Sequence, residues 1–171
     1  MTALGSILVP LDGSAPSLAA LEHALALAED YHARIEVLDV IPPSDVVIAG
    51  DRDEIERAVD AAVDRARAAL GERVSRRTVH GDPVWKIIVE AAREGFDLIV
   101  MGTHGRVGRL HAMLGSVAEG VVRNAPCPVL TVRAPGEGYQ SFAERRHHRP
   151  SVAEPAYDLA TEADQGHAGG T

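Results

Sequence analysis

Lysine is nearly absent: of 17 Lys+Arg in the 171 residues, Lys86 is the one lysine. A Walker A loop, Gly-x-x-x-x-Gly-Lys-Ser/Thr, uses its lysine to reach the phosphates, and no such run occurs here. Base is also outnumbered, by 25 Asp+Glu, giving a formal charge of −8. Binders of a phosphate backbone draw affinity from clustered Lys and Arg, so nucleic acid is not expected as a partner. The single cysteine, Cys127 between Pro126 and Pro128, excludes an internal disulfide and any multi-cysteine metal site, and reads as a small packed hydrophobe. No apolar run approaches the ~18 residues that span a bilayer, and Met1 to Gly5 lacks a basic region followed by an apolar one. No membrane partner is expected, and the expected location is cytoplasmic. Aromatics make up only 4% of a chain that is 46% hydrophobic, so its core must be built from Ala, Val, Leu and Ile.

What is present is an alternation of short β-rich runs with helical patterns, the mark of βαβ units and a parallel sheet. Ser6 to Leu11 reads as a first strand and Arg34 to Val40 as a second. The helix between them has Pro16 in its first turn and Leu18, Leu21, Leu25 and Ala28 on one face. A second helix from about Arg52 to Leu70 turns Ile55, Val59, Ala62, Val63 and Ala66 inward and stops at Gly71. Val74 to His80 is a less apolar strand, nearer an edge. Asp82-Pro83 opens a helix with Val84, Ile87, Ile88 and Ala91 inside, and Asp97 to Met101 is a buried strand. Gly102 to Gly115 reads as a long loop, Ser116 to Asn124 as the last helix and Pro128 to Val132 as the last strand. The expectation is an α/β domain over residues 1–133, an open parallel sheet of five strands with four helices on both faces. Residues 134–171 show no apolar period and carry a net charge of −3; they are expected to form a disordered tail. Its cluster Arg145-Arg146-His147-His148-Arg149 is either a solvated run or a contact for an acidic partner.

An open parallel sheet binds ligands beyond the carboxyl ends of its strands, where the winding reverses, so the loops after the first and fourth strands are the places to search. The turn after the first strand, Pro10-Leu11-Asp12-Gly13-Ser14, lacks the Gly-x-Gly-x-x-Gly dinucleotide fingerprint. The loop after the fourth carries glycines at 102, 105 and 115, which remove Cβ atoms where a ligand would approach the backbone, and Ser116 beside a helix start. Four free N–H groups and the positive end of the helix dipole are expected there, an anion site that needs no lysine.

The spacing Gly102-x2-Gly105-x9-Gly115-Ser116 after a hydrophobic strand resembles the ATP-binding signature of the universal stress protein family. The resemblance runs from residue 5 to 133 and includes Ile7 to Ser14, the Gly81-Asp82-Pro83 turn and Ala125 to Leu130. It implies an adenine nucleotide α-hydrolase-like fold with strand order 3-2-1-4-5, and a homodimer. It also implies ATP, with Pro10, Asp12 and Val40 around adenine and ribose, and Met101, Gly102, Gly105, Gly115, Ser116 and Val117 holding ribose and phosphates. Mg or Mn would be held mainly by the phosphates. The last strand, Val129 to Val132, short and apolar, would pair with a second copy.

Several residues carry a second reading. Ser116 and Glu119 also have the spacing of a capping box, in which Ser116 would accept the Glu119 N–H. Gly105 and Gly115 serve either ligand approach or tight turns, and Gly108 is loop punctuation. Asp12 either caps the helix that follows or meets a ligand, through ribose, adenine or a metal-bound water. His104 and His111 lack a nearby carboxylate to complete a metal site and read as loop packing or a phosphate hydrogen bond. Arg106 and Arg109 either pair with phosphate or stay solvated. No base stands beside Ser14 or Ser116, so no catalytic residue is assigned, and any ATP hydrolysis would be slow. Three functional readings follow: an ATP-binding regulator of the stress response, a nucleotide-independent dimeric interaction module acting through its sheet edge or tail, and a slow ATPase or adenylate-handling enzyme.

Overall fold

A computed structural model of the chain describes residues 4–43, 52–104 and 114–133. The proposed tail at 134–171 lies outside them, as do Gly105, Arg106, Gly108, Arg109 and His111. The described elements are β1 (Ser6–Pro10), α1 (Ala15–Tyr31), β2 (Arg34–Ile41), α2 (Arg52–Leu70), β3 (Val74–His80), α3 (Pro83–Glu94), β4 (Leu98–Gly102), α4 (Ser116–Asn124) and β5 (Val129–Val132). A single 3-10 turn, Gly71–Arg73, links α2 to β3. All ladders are parallel and the order is β3-β2-β1-β4-β5, as the family resemblance implies.

β1 lies at the centre, and Ile7, Leu8 and Val9 are all fully buried because helices cover both faces of a parallel sheet. Strand side chains alternate between faces, so Ile7, Val9, Ile35 and Val37 meet α1 and α2 while Leu8, Leu38, Ile99 and Met101 meet α3 and α4. The α2 face is the one its periodicity marks: Val59, Ala62, Val63 and Ala66 are buried. α2 ends at Leu70 because Gly71 adopts a left-handed φ of 61°.

Three details depart from the periodicity. In α1 the buried stripe is mostly alanine (Ala19, Ala20, Ala24, Ala26, Ala28) with Leu21, while Leu18 and Leu25 are only partly buried. Small side chains let the helix lie close on the sheet. In α3, Ile88 is half-exposed and Glu90 is buried beside Ile87 and Ala91, with its charge met by Arg93 at 3.1 Å and Arg77 at 3.9 Å. Asp97 is not a strand residue but a clasp. Its Oδ2 accepts from Gly5 N–H (3.0 Å), Ser6 N–H (2.9 Å) and the Ser6 hydroxyl (2.9 Å), joining the starts of β1 and β4. The Ser6 hydroxyl, the Gly5 amide and the Ser6 amide hold the Asp97 carboxyl below its ordinary pKa.

At the sheet edges, Arg76 of β3 pairs with Asp39 of β2 (3.2 Å) and with Asp60 of α2, tying helix to sheet. β5 is the other edge, and its Leu130 is 38% exposed. Cys127 is half-buried against the α3/α4 core, and burial pushes its thiol pKa up, which fits a packed hydrophobe. Among the described residues no helix is long and apolar enough to cross a membrane.

Candidate functional site

The winding reverses between β1 and β4, and there the ladder is short. β1 pairs with β4 only at Ile7↔Leu98 and Leu8↔Ile99, although β1 continues to Pro10 and β4 to Gly102. On their outer sides both stay paired, β1 to Pro10↔Leu38 and β4 to Gly102↔Val132. The carboxyl ends of the two central strands therefore part from each other, the opening in which this architecture places ligands.

The start of α1 fills the base of that opening. A Cβ on Gly102 would lie 2.9 Å from Pro16 C, Pro16 Cβ and Ser17 N. The helix packed on it therefore requires glycine at 102, a structural demand beside the expected ligand approach. Ser14 is the N-cap of α1, with Pro16 in the first turn as expected, and its hydroxyl accepts from Ser17 N–H (3.4 Å). Asp12 does not cap the helix itself. Its Oδ1 accepts from the Ser14 amide (3.0 Å) and the Ser14 hydroxyl (2.6 Å), an Asx turn that carries the chain from β1 into α1. The same spacing leaves Gly13 at φ 72°, where a side chain would be strained.

The other wall is the start of α4. The Thr103 amide donates to Val132 O (2.8 Å) and the Gly115 amide to Thr103 O (2.7 Å), so Thr103, which is buried, pins both ends of the loop to the sheet. The N-cap of α4 is Gly115, one residue earlier than a capping box at Ser116 requires. Glu119 N–H donates to Gly115 O (2.8 Å), the first bond of the helix, and the Glu119 carboxylate turns to Arg123 (2.9 Å). The capping-box reading of Ser116 fails for that reason: Ser116 is the first helical residue, exposed, with the cap position taken by a residue that has no side chain. Because Thr103 takes the Gly115 amide, three rather than the expected four amides are without an acceptor among the described residues: Ser116, Val117 and Ala118.

The remaining expected residues occupy both sides of the opening. Pro10 ends β1 and is half-buried. Val40, near the end of β2, and Val117 pack partly buried against the α3/α4 core. Met101 is a core side chain, 5% exposed, so its backbone is what it can offer a ligand. His104 Nδ1 lies 3.0 Å from the Thr103 hydroxyl, consistent with loop packing. Among the described residues no three His, Cys, Asp or Glu side chains converge as a metal site. The sequence reading missed the parts played by Thr103 and Ser14. An Asx turn at Asp-Gly-Ser was the available signal for Ser14, whereas Thr103 shows its role only once β5 is in place.

Comparison with known proteins gives this arrangement its relatives. The universal stress protein family profile matches residues 4–133. Universal stress protein MJ0531 of Methanocaldococcus jannaschii is 34% identical over 139 residues, covering 75% of this chain and 82% of that protein. The solved structure of MJ0577, from the same organism, superimposes with a TM-score of 0.65 at 28% identity over 79% of this chain and 99% of its own. A universal stress protein solved in complex with cAMP does so with 0.62 at 30% identity over 78% and 100%. By sequence and by fold alike, the chain belongs to the universal stress protein family.

Proposed function

We propose that this protein binds ATP in the opening between β1 and β4 and uses its occupancy to regulate a stress response. The observation that carries the reading is the uncapped start of α4. Ser116, Val117 and Ala118 present amides at the carboxyl end of β4 with no side chain at the cap position to use them. Aligned amides and the helix dipole favour a polyphosphate there without a lysine. The Asp12 carboxylate keeps Oδ2 to accept a ribose hydroxyl or an adenine amine, and Pro10 and Val40 offer apolar surface to the base. A relative 30% identical to this chain was solved with cAMP, which supports an adenine nucleotide as the ligand class. Gly105 belongs to the proposed phosphate loop but lies outside the described residues. A divalent cation, Mg or Mn, would be carried by the phosphates themselves. Binding would order the loop and shift the protein between states by the difference in affinity for them. A cytoplasmic setting accords with this nucleotide.

Calorimetric titration with Mg-ATP tests the reading. Binding heat and a rise in melting temperature are expected; neither at millimolar nucleotide would reject it.

A second reading has its own observation. Leu130 on the edge strand β5 and Val122 on α4 are exposed apolar side chains, 38% and 48% accessible. Pairing of Val129 to Val132 with a second copy would cover the free backbone edge and give a homodimer. Light scattering reads the mass. A dimer that captures its partner with Gly115 substituted, and without nucleotide, would favour a nucleotide-independent interaction module.

A further inference from the structure

A carboxylate beside a polyphosphate is a liability unless its orientation is fixed, because a freely rotating Asp12 would spend part of its time repelling the phosphates. The structure shows how it is fixed. Ser14 and Ser17 form a closed set of hydrogen bonds under it. Asp12 N–H donates to the Ser17 hydroxyl (3.4 Å), and that hydroxyl donates to Ser14 O (3.0 Å). Ser17 N–H donates to the Ser14 hydroxyl (3.4 Å), and that hydroxyl donates to Asp12 Oδ1 (2.6 Å), which also accepts Ser14 N–H (3.0 Å). Each hydroxyl has one proton, and each proton is committed once its lone pair has accepted an amide. The direction of every bond is therefore settled. Ser14 and Ser17 are both buried, 9% and 4% exposed, so water competes little with these bonds.

We propose that Ser14 is the positioning residue of the nucleotide site: its hydroxyl holds Asp12 Oδ1 and thereby presents Oδ2 to the ligand. The inference rests on the nucleotide-binding reading above and extends it to a residue that acts through Asp12. It separates two roles of one hydroxyl, the cap of α1 and the clamp on Asp12.

The separation is testable because glycine is tolerated at an N-cap almost as well as serine. Ser14→Gly should leave the melting temperature close to that of the unaltered protein and weaken Mg-ATP binding at least tenfold. Ser14→Thr, which keeps the hydroxyl, should restore the affinity. In an Asp12→Ala background Ser14→Gly should weaken binding no further, since the group it positions is gone. Unchanged affinity in Ser14→Gly, or losses that simply multiply in the double variant, would overturn the inference while nucleotide binding by the unaltered protein stands. No binding by the unaltered protein would overturn both.

Discussion

The starts of α1 and α4 sit at neighbouring strand ends and are built in opposite ways. At α1 the Ser14 hydroxyl takes the Ser17 amide, Ser14 O takes the Leu18 amide, Asp12 takes the Ser14 amide and Pro16 has no N–H to offer, so among the described residues Ala15 alone lacks an acceptor. At α4 the cap is Gly115 and the amides that follow have no side-chain acceptor among the described residues. α3 sides with α1, since Asp82 accepts the Trp85 amide at 2.8 Å. A helix start closed on itself is a structural joint, whereas one left open is a place for an external anion. The two glycines at these helix starts differ in the same way. Gly102 is small because α1 rests on it, and Gly115 contributes by having nothing that could satisfy α4.

Closing α4 in the manner of α3 should break the contrast most severely. Gly115 has φ −73° and ψ 158°, a conformation open to any residue, so Gly115→Asp should fold. Its carboxylate would take the amides and repel phosphate, weakening Mg-ATP by roughly 100-fold or more, about 2.8 kcal/mol. The same cap should raise stability by a few tenths of a kcal/mol. Calorimetry and thermal denaturation on one preparation would read the opposite signs.

Gly102→Ala should act through packing instead. A Cβ at 2.9 Å from Pro16 and Ser17 must displace the start of α1. The expected loss is about 1–3 kcal/mol of stability by denaturant titration. Binding should weaken in parallel, because Ser17 and Ser14 carry Asp12.

Removing a closed cap sharpens the comparison from the other side. Asp82→Ala should cost about 1 kcal/mol of stability and leave Mg-ATP affinity unchanged.

The smallest effect belongs to the far end of the sheet, away from both helix starts. Asp97 is held as a carboxylate below its ordinary pKa of 3.8, so its contribution is complete above that value. It is lost as the pH falls through the lower native value, because the native state must then take up a proton against its hydrogen bonds. Asp97→Asn should lower stability at neutral pH and flatten the acid limb of the stability profile, with nucleotide affinity at neutral pH unchanged.

Most of the architecture was legible in the sequence because it depends on local period. The fully apolar run of β1, the inward stripe of α2 and the left-handed stop at Gly71 all follow from residues close in the chain. The order β3-β2-β1-β4-β5 came from the family resemblance, since the strand pattern alone allows others. The site was legible as a location and less so in its parts. A capping box at Ser116 is a sound reading of Ser-x-x-Glu, yet the Thr103 carbonyl holds Gly115 and starts the helix one residue earlier. That bond depends on where β4 and β5 leave Thr103, which no local pattern encodes. The packing demand at Gly102 is hidden for a similar reason: the Pro16 and Ser17 atoms that need the space come from a distant part of the chain.

The amide resonances of Ser116, Val117 and Ala118 report directly on whether the start of α4 holds the phosphates. In a 15N–1H NMR titration with Mg-ATP these three should shift early and far, while Ser17, Leu18 and Trp85 at the closed helix starts move much less. Saturable binding that leaves Ser116 to Ala118 unmoved would contradict the account.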